Sequence, residues 1–287
     1  MTLASRTQRF ESRQSMQGKR FEVFHYREKK TEKLQVHHHD FFEIYFLLNG
    51  QVTFRVEGSD YLLEPGDLLL INPQELHHAQ VNPGRLYERI VLWIDRGYLN
   101  ELCGDENELS ACFDSASPSY TNFLRPTKAQ RAELQELLEK LTAEFYGGHI
   151  GGELYARALL QQFIVELNRL AGHSRQRRKP SDAPDLIRQV LAYISAHYHE
   201  NITLDSLSGE FYVSKYYLSH EFSRRMGTSL YRYIIFRRLM RARELLQDGQ
   251  TPGEAAAAVG FGDYANFYRA FKAEYGVGPR EFAAAEE

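Results

Sequence analysis

The sequence predicts a multidomain α+β protein: a β-barrel at the N-terminus, a helical hairpin after it, and an all-α domain at the C-terminus. Three observations carry this. Short aromatic and β-branched runs fill Phe21 to about Ile94, the apolar period becomes helical beyond Pro126, and a basic stretch without periodicity separates a second, purely helical region.

The β-like runs are FEVFHYR, FFEIYFLLNG, QVTFRVEG, SDYLLEPGD, LLLINPQELHH and ERIVLWID. Gly50, Gly58, Pro65-Gly66 and Pro83-Gly84 punctuate them, as turns between short strands require. Strands at this spacing suggest a barrel or jelly roll. After Pro126, Leu134, Leu137, Leu138, Leu141 and Phe145 recur at helical spacing up to Gly147-Gly148, and Leu159, Phe163, Leu167 and Leu170 repeat the behaviour. The two segments read as an antiparallel helix pair, with packing against the barrel and dimerisation both open to it. The expected organisation is an arm over 1–20, a barrel over 21–125, a hairpin over 126–172, a linker over 173–184 and a helical domain over 185–287.

Composition narrows the class. With 43% hydrophobic and 25% charged residues, the chain of 287 residues can bury more than one core and is not a disordered protein. Cys103 and Cys112 lack metal or redox spacing, the N-terminus has no apolar signal core, and no segment reaches a membrane span, so a cytoplasmic protein is expected. A net charge of -3 does not announce a nucleic-acid binder, which leaves the local placement of positive charge to decide.

That placement is informative after the linker. In LDSLSGEFYVSKYYLSHEFSRRMG, Leu204, Leu207, Val213, Leu218 and Phe222 fall where two short, steeply crossing helices would bury them, with Thr203 and Ser214 as N-caps. Lys215, Tyr216, Ser219, His220 and Arg224 are left outside the core. TPGEAAAAVGFGDYANFYRAFKAEYG repeats the pattern: Thr251-Pro252 starts a helix, Val259 and Phe261 flank Gly260, and Phe267 and Phe271 recur at helix spacing. Its free face carries Tyr264, Asn266, Arg269 and Lys272, while the intervening helix offers Arg237, Arg238, Arg241 and Arg243 to a flank. Such side chains distinguish base edges in a major groove, and two such helices can read successive groove faces.

From Ile202 to about Phe282 the chain resembles the arabinose-regulator (AraC/XylS) family of bacterial transcription factors, most specifically in YVSKYYLSHEFSRRMGTSLYRYI and VGFGDYANFYRAFKAEYGVGPREF. The resemblance implies that Tyr216, Ser219 and His220 face bases from the first unit, and Tyr264, Asn266 and Arg269 from the second. Pro252 and Ala255 depart from the large aliphatics usual before the second turn, so looser packing is expected there.

The N-terminal region carries a second resemblance. His37, His39, Glu43 and, after six intervening residues, Gly50 fit the first motif of the cupins, which are double-stranded β-helical barrels. Gly66, Pro73, His78 and Asn82 fall near the second motif, with Glu75 in place of its glycine. Period-two alternation puts His37, His39, Glu43 and Tyr45 on one face and His38 on the other. Joined by His78 or His77, these residues could bind an organic effector, hold a metal, or serve structure alone. The expected effector set is His37, His39, Glu43, Tyr45 and His78; the metal candidates are His37, His39, Glu43 and His78, and no cofactor is required. Tyr87, Arg89 and Trp93 share one face of their strand, inner or outer.

Together these readings predict a ligand-responsive, sequence-specific DNA-binding transcription regulator, not an enzyme and without catalytic residues. The expected partners are double-stranded DNA, a small-molecule effector such as a sugar, RNA polymerase and a second copy of the chain, with no membrane. The resemblance implies activation of carbohydrate or related metabolic genes. The alternatives are a metal-dependent cupin enzyme with a helical accessory domain, and a DNA-binding protein with a vestigial barrel.

Overall fold

The computed structural model describes residues 14–18, 20–29, 36–73, 75–82, 84–104, 107–114, 120–177 and 185–284, without the side chains of 107, 108 and 173–177. The chain divides into two compact units, with the break between residues 180 and 181.

The N-terminal unit contains eight described strands: β1 (Phe21–Glu28), β2 (Phe42–Asn49), β3 (Val52–Val56), β4 (Ser59–Leu63), β5 (Leu68–Ile71), β6 (His77–Val81), β7 (Tyr87–Ile94) and β8 (Phe123–Leu124). They form a five-stranded sheet ordered β1-β7-β2-β5-β8 and a three-stranded sheet ordered β4-β3-β6. All of the pairings are antiparallel. Among the described residues no continuous ladder closes them into the expected barrel. An isolated bridge between His37 and His77 ties the segment before β2 to β6.

Alternation gives the larger sheet two buried faces. Ile44 and Phe46 of β2, Leu68 and Leu70 of β5, and Ile90, Leu92 and Ile94 of β7 pack outward onto helices. Those are α1 (Arg96–Cys103), α2 (Lys128–Gly147) and α3 (Gly152–Arg177), with a 3-10 turn over Asn107–Phe113. The helices contribute Leu134, Leu138, Leu141, Leu160, Phe163 and Leu167 to that core, so packing against the sheet is one role of the hairpin. Thr127 caps α2 in a reciprocal capping box with Gln130, and Gly148 ends it in the left-handed conformation. The opposite faces, including Phe24, Tyr45, Leu69, Val91 and Trp93, share a second core with Phe54, Val56 and Ala79 of the small sheet.

The structure changes several details. LLLINPQELHH is two strands, because Glu75 accepts a hydrogen bond from Asn72 N at 2.7 Å and turns the chain between β5 and β6. The α1 helix and the two-residue β8 lie within the range expected for the barrel, after the last of the strand-like runs. Helix α3 runs through Gly172 to Arg177, and the rest of the expected linker, like residues 1–13 of the arm, lies outside the described residues.

The C-terminal unit is helical: α4 (Leu186–His197), α5 (Leu204–Glu210), α6 (Lys215–Met226), α7 (Leu230–Gln247), α8 (Pro252–Ala258), α9 (Tyr264–Tyr275) and α10 (Pro279–Ala284). Thr203, Ser214, Ser229, Thr251 and Asp263 accept from the backbone at the starts of α5 to α9, which accounts for so many short helices in succession. The expected looseness around α8 is not what the packing shows. Ala255 and Ala256 are buried in a cluster with Leu239, Leu246, Phe267 and Phe271, whose large side chains supply the bulk that α8 lacks.

Candidate functional sites: an inner polar wall and two exposed helix faces

The first site lies on the inner faces of the sheets. His37 and His39 precede β2 instead of belonging to it, yet they reach the same side as Glu43 and Tyr45 of that strand. His39 Nε2 is 3.3 Å from Glu43 Oε2, and Trp93 Nε1 donates to the same carboxylate oxygen at 2.9 Å. The third partner is His77, not His78. In the β3–β6 register, His77 lies opposite Val56, whose side chain is in the inner core, whereas His78 lies opposite Arg55. Arg55 pairs with Asp60, so His78 stands beside that outer ion pair. Two adjacent histidines at the start of β6 left this choice to register, since a shift of one residue reverses the faces.

The imidazoles are held in a defined way. His39 Nδ1 donates to Phe41 O at 2.9 Å and His77 Nδ1 to Glu75 O at 2.8 Å; a carbonyl can only accept, so each Nδ1 carries a proton. His77 Nε2 is buried and lacks a hydrogen-bond partner, and the buried His39 Nε2 faces only the Glu43 carboxylate, at 3.3 Å. Burial, with His37 and His39 nearby, keeps the His77 pKa well below the ordinary histidine value, leaving a lone pair on its Nε2. Burial opposes ionisation of Glu43 as well, but His39, His37 and the Trp93 hydrogen bond outweigh it and hold the carboxyl below its usual range.

His39, Glu43 and His77 offer ligand atoms within 4.8 Å of one another. Two oriented imidazole nitrogens and a carboxylate fit a divalent transition metal, and the orphaned His77 Nε2 is the observation that supports the fit. These three residues would hold the ion, which when bound would supply a positive centre for ligand oxygens. The expected set with His78 is corrected accordingly.

Further along the same wall, Tyr45 and Tyr87 are joined through their hydroxyl groups, and burial holds both as phenols. Tyr87, Arg89 and Trp93 face inward. The Arg89 guanidinium lies 4.5 Å from the centre of the Tyr26 ring and 4.2 Å from that of Tyr87. Tyr26, Tyr87 and Arg89 therefore extend the site beyond the residues that motif spacing picks out. Their period-two placement was the available signal, but only packing chose the face.

The second site is a pair of helix faces. In α6, Leu218, Phe222 and Met226 are buried; Lys215, Tyr216, Ser219, His220 and Arg224 are all exposed. In α9, Phe267 and Phe271 are buried, and Tyr264, Asn266, Arg269 and Lys272 are exposed. The turns correspond too: Tyr212 before α6 has φ 54° and Gly260 before α9 has φ 83°. Relative to the N-caps Ser214 and Asp263, Tyr217 occupies the position of Asn266, and its 51% exposure adds it to the first face. The equal offset from two capping residues was the signal that could have found it.

The exposed side chains differ in freedom. Lys215 pairs with Asp205, and Arg224 makes a double contact with Glu221 at 2.9 and 2.7 Å. Arg269 donates to Asn266 Oδ1 at 2.6 Å, which orients both on one face. On α7, Arg238 does not serve the flank: it donates to Tyr198 O at 2.7 Å and Glu200 O at 2.6 Å, fastening the end of α4.

A sheet unit with an inward polar wall, joined in one chain to a unit with two matched helix-turn-helix faces, defines a ligand-binding DNA regulator. The AraC-like ligand binding domain matches residues 21–164, half of the chain, and a helix-turn-helix domain matches 207–285. The chain belongs to the AraC family of transcription regulators. It is 27% identical to the uncharacterized HTH-type transcriptional regulator YbfI of Bacillus subtilis, over 81% of this chain and 80% of that one. It is 28% identical to the arabinose operon regulatory protein of Escherichia coli, over 83% and 78% of the two chains. To the HTH-type transcriptional activator RhaS of Salmonella arizonae it is 25% identical, over 85% and 86%. The protein is a ligand-responsive, DNA-binding transcription regulator, and the cupin-enzyme alternative finds no support. No helix among the described residues is long and apolar enough to cross a membrane.

Proposed function

We propose that the protein is a homodimeric activator of carbohydrate or related metabolic genes, switched by a small molecule on the inner wall formed by His37, His39, Glu43, Tyr45 and His77. The observation that carries the reading is the repeated helix-turn-helix, with the same residue positions of α6 and α9 left exposed beside a buried apolar stripe. Tyr216, Tyr217, Ser219 and His220 would face bases from α6, and Tyr264, Asn266 and Arg269 from α9. Lys215, Arg224 and Lys272 would serve the phosphates, where a cation fixes orientation without reading sequence. The names of the arabinose operon regulatory protein and the activator RhaS support the gene class and the sign. Contact with RNA polymerase belongs to the same reading, as does pairing of two copies on DNA half-sites.

The effector acts by preferring one arrangement of the regulator, since only a difference in affinity between two states can shift their balance. Selection from random DNA tests the base-reading assignment. Arg269→Ala is expected to weaken binding to the selected site by about 1–3 kcal/mol at fixed salt and to relax preference at one base pair. Unchanged affinity and preference would remove Arg269 from the base-reading set. Identical selected sites for wild type, Tyr216→Ala and His220→Ala would remove those two.

A further inference from the structure

Arg89 is a cation in the wrong place for a purely structural residue. Its side chain is 12% exposed, and its Nη1 is buried without any hydrogen-bond partner. Nη2 makes one long contact of 3.4 Å, to Oε1 of Glu28, whose own side chain is 32% exposed. A guanidinium offers five N–H donors in a planar fork matched to an oxyanion, and it stays charged in proteins. Burying such a charge is unfavourable unless a counter-charge and hydrogen bonds compensate. The rings of Tyr26 and Tyr87 give part of that compensation. They leave Nη1 without an acceptor.

The surroundings say what kind of molecule would satisfy it. Arg89 lies opposite Tyr26 in the β1–β7 register and opposite Leu47 in the β2–β7 register, on the inward side. Tyr87, two residues before it, joins hydroxyls with Tyr45, so the guanidinium stands next to protonated phenols that can bond hydroxyl and oxyanion oxygens alike. At the far end of β7, Trp93 and His39 already hold the Glu43 carboxylate, whereas Arg89 has no such close carboxylate partner. The inner face therefore carries polar groups near both ends of β7, the Arg89 guanidinium at one and the Glu43–His39 pair at the other, with Val91 between them.

We infer that the effector is an anionic, hydroxylated small molecule, a sugar acid or sugar phosphate, whose carboxylate or phosphate is bound by Arg89. The inference rests on the reading that this inner wall is the effector site, and it fixes the effector's charge and orientation: the acid group at Arg89, the hydroxyls toward Tyr45 and Glu43. A neutral sugar could accept hydrogen bonds from Nη1 through its hydroxyl oxygens, but it would bring no counter-charge to a buried guanidinium whose carboxylate contact is the long one to Glu28.

The test is titration of the full chain with a matched series: a neutral hexose or pentose, its aldonate, its uronate and its phosphate ester, read by thermal shift and calorimetry. At least one acid is expected to bind and raise the melting temperature at concentrations where its neutral parent does not. The carboxylate and phosphate arms identify the anion. Arg89→Gln is expected to weaken that acid about 10- to 100-fold, and Arg89→Lys, which keeps the charge but loses the fork, to weaken it too. The unfolding transition of the ligand-free variants is the control for folding. If Arg89→Gln does not fold, the charge series on wild type and the Arg89→Lys titration still decide. Equal binding of neutral parent and acid overturns the inference, as does acid binding that survives both substitutions; in either case the carbohydrate reading stands. Failure of every member of the series to bind overturns the inference and the carbohydrate reading together, leaving operator binding untouched.

Discussion

Tyr212 and Gly260 occupy the same corner of two homologous turns, and they resolve the same backbone demand differently. Both have positive φ, a conformation that costs an L-residue roughly 1–2 kcal/mol and glycine almost nothing. Tyr212 is 95% exposed, so its side chain contributes little packing to offset that cost. Tyr212→Gly is therefore expected to stabilise the protein by roughly 0.5–1 kcal/mol in chemical denaturation. Gly260 is different, because a Cβ there would lie 2.2 Å from His199 O, closer than any real contact. Gly260→Ala should destabilise by about 2 kcal/mol or more, combining the backbone cost with displacement of the chain after α4. Glu221 sets the acid limit of the same region. Its hydrogen bonds from Arg224, and then from Arg225, against the opposing effect of burial, lower its pKa to about 2 from an ordinary 4.5. The folded state thus binds its proton later than the unfolded state as pH falls, and its stabilisation is complete above pH 4.5 and lost on the way down to about 2. In Glu221→Gln, stability measured by urea titration should fall less steeply over that window than in wild type.

Elements explain why the C-terminal domain was readable from its sequence and the sensor site only half so. Thr203, Ser214 and Thr251 announce helix starts by local chemistry, and each does cap in the folded chain. The reciprocal capping box of Thr251 with Glu254 is the clearest: Thr251 Oγ1 accepts from Glu254 N, while Glu254 accepts from Thr251 N at 3.0 Å. Thr251→Ala is expected to cost about 1 kcal/mol, seen as a lower denaturation midpoint at unchanged slope. Strands carry no comparable signal of which face is inside. Period-two spacing grouped His39 with Glu43 and Tyr45, and Arg89 with Tyr87 and Trp93, but it could not choose between His77 and His78. Nor could it turn Arg89 inward; the core formed by Val91, Trp93 and Phe54 did. The strand β8 escaped pattern reading because two residues define no period, whereas α1 did carry a local signal, Asp95, whose side chain accepts from Tyr98 N at the helix start.

For the whole molecule, two units with separate cores imply separable responses. Calorimetry of the full chain should show two unfolding components. Gly260→Ala is expected to lower one, and a bound effector to raise the other; a single component moved equally by both would contradict the division. What the sequence by itself determined was the order of domains, the duplicated helix-turn-helix and the exposed residues of α6 and α9. These depend on caps, turns and helical periods within a few residues of one another. Tertiary structure alone decided that the sheets remain two ladders, that His77 joins His39 and Glu43, and that α8 packs tightly with alanines against the phenylalanines of α9. Those outcomes depend on the register of strands and the faces of helices distant in sequence, where one residue of shift exchanges inside for outside.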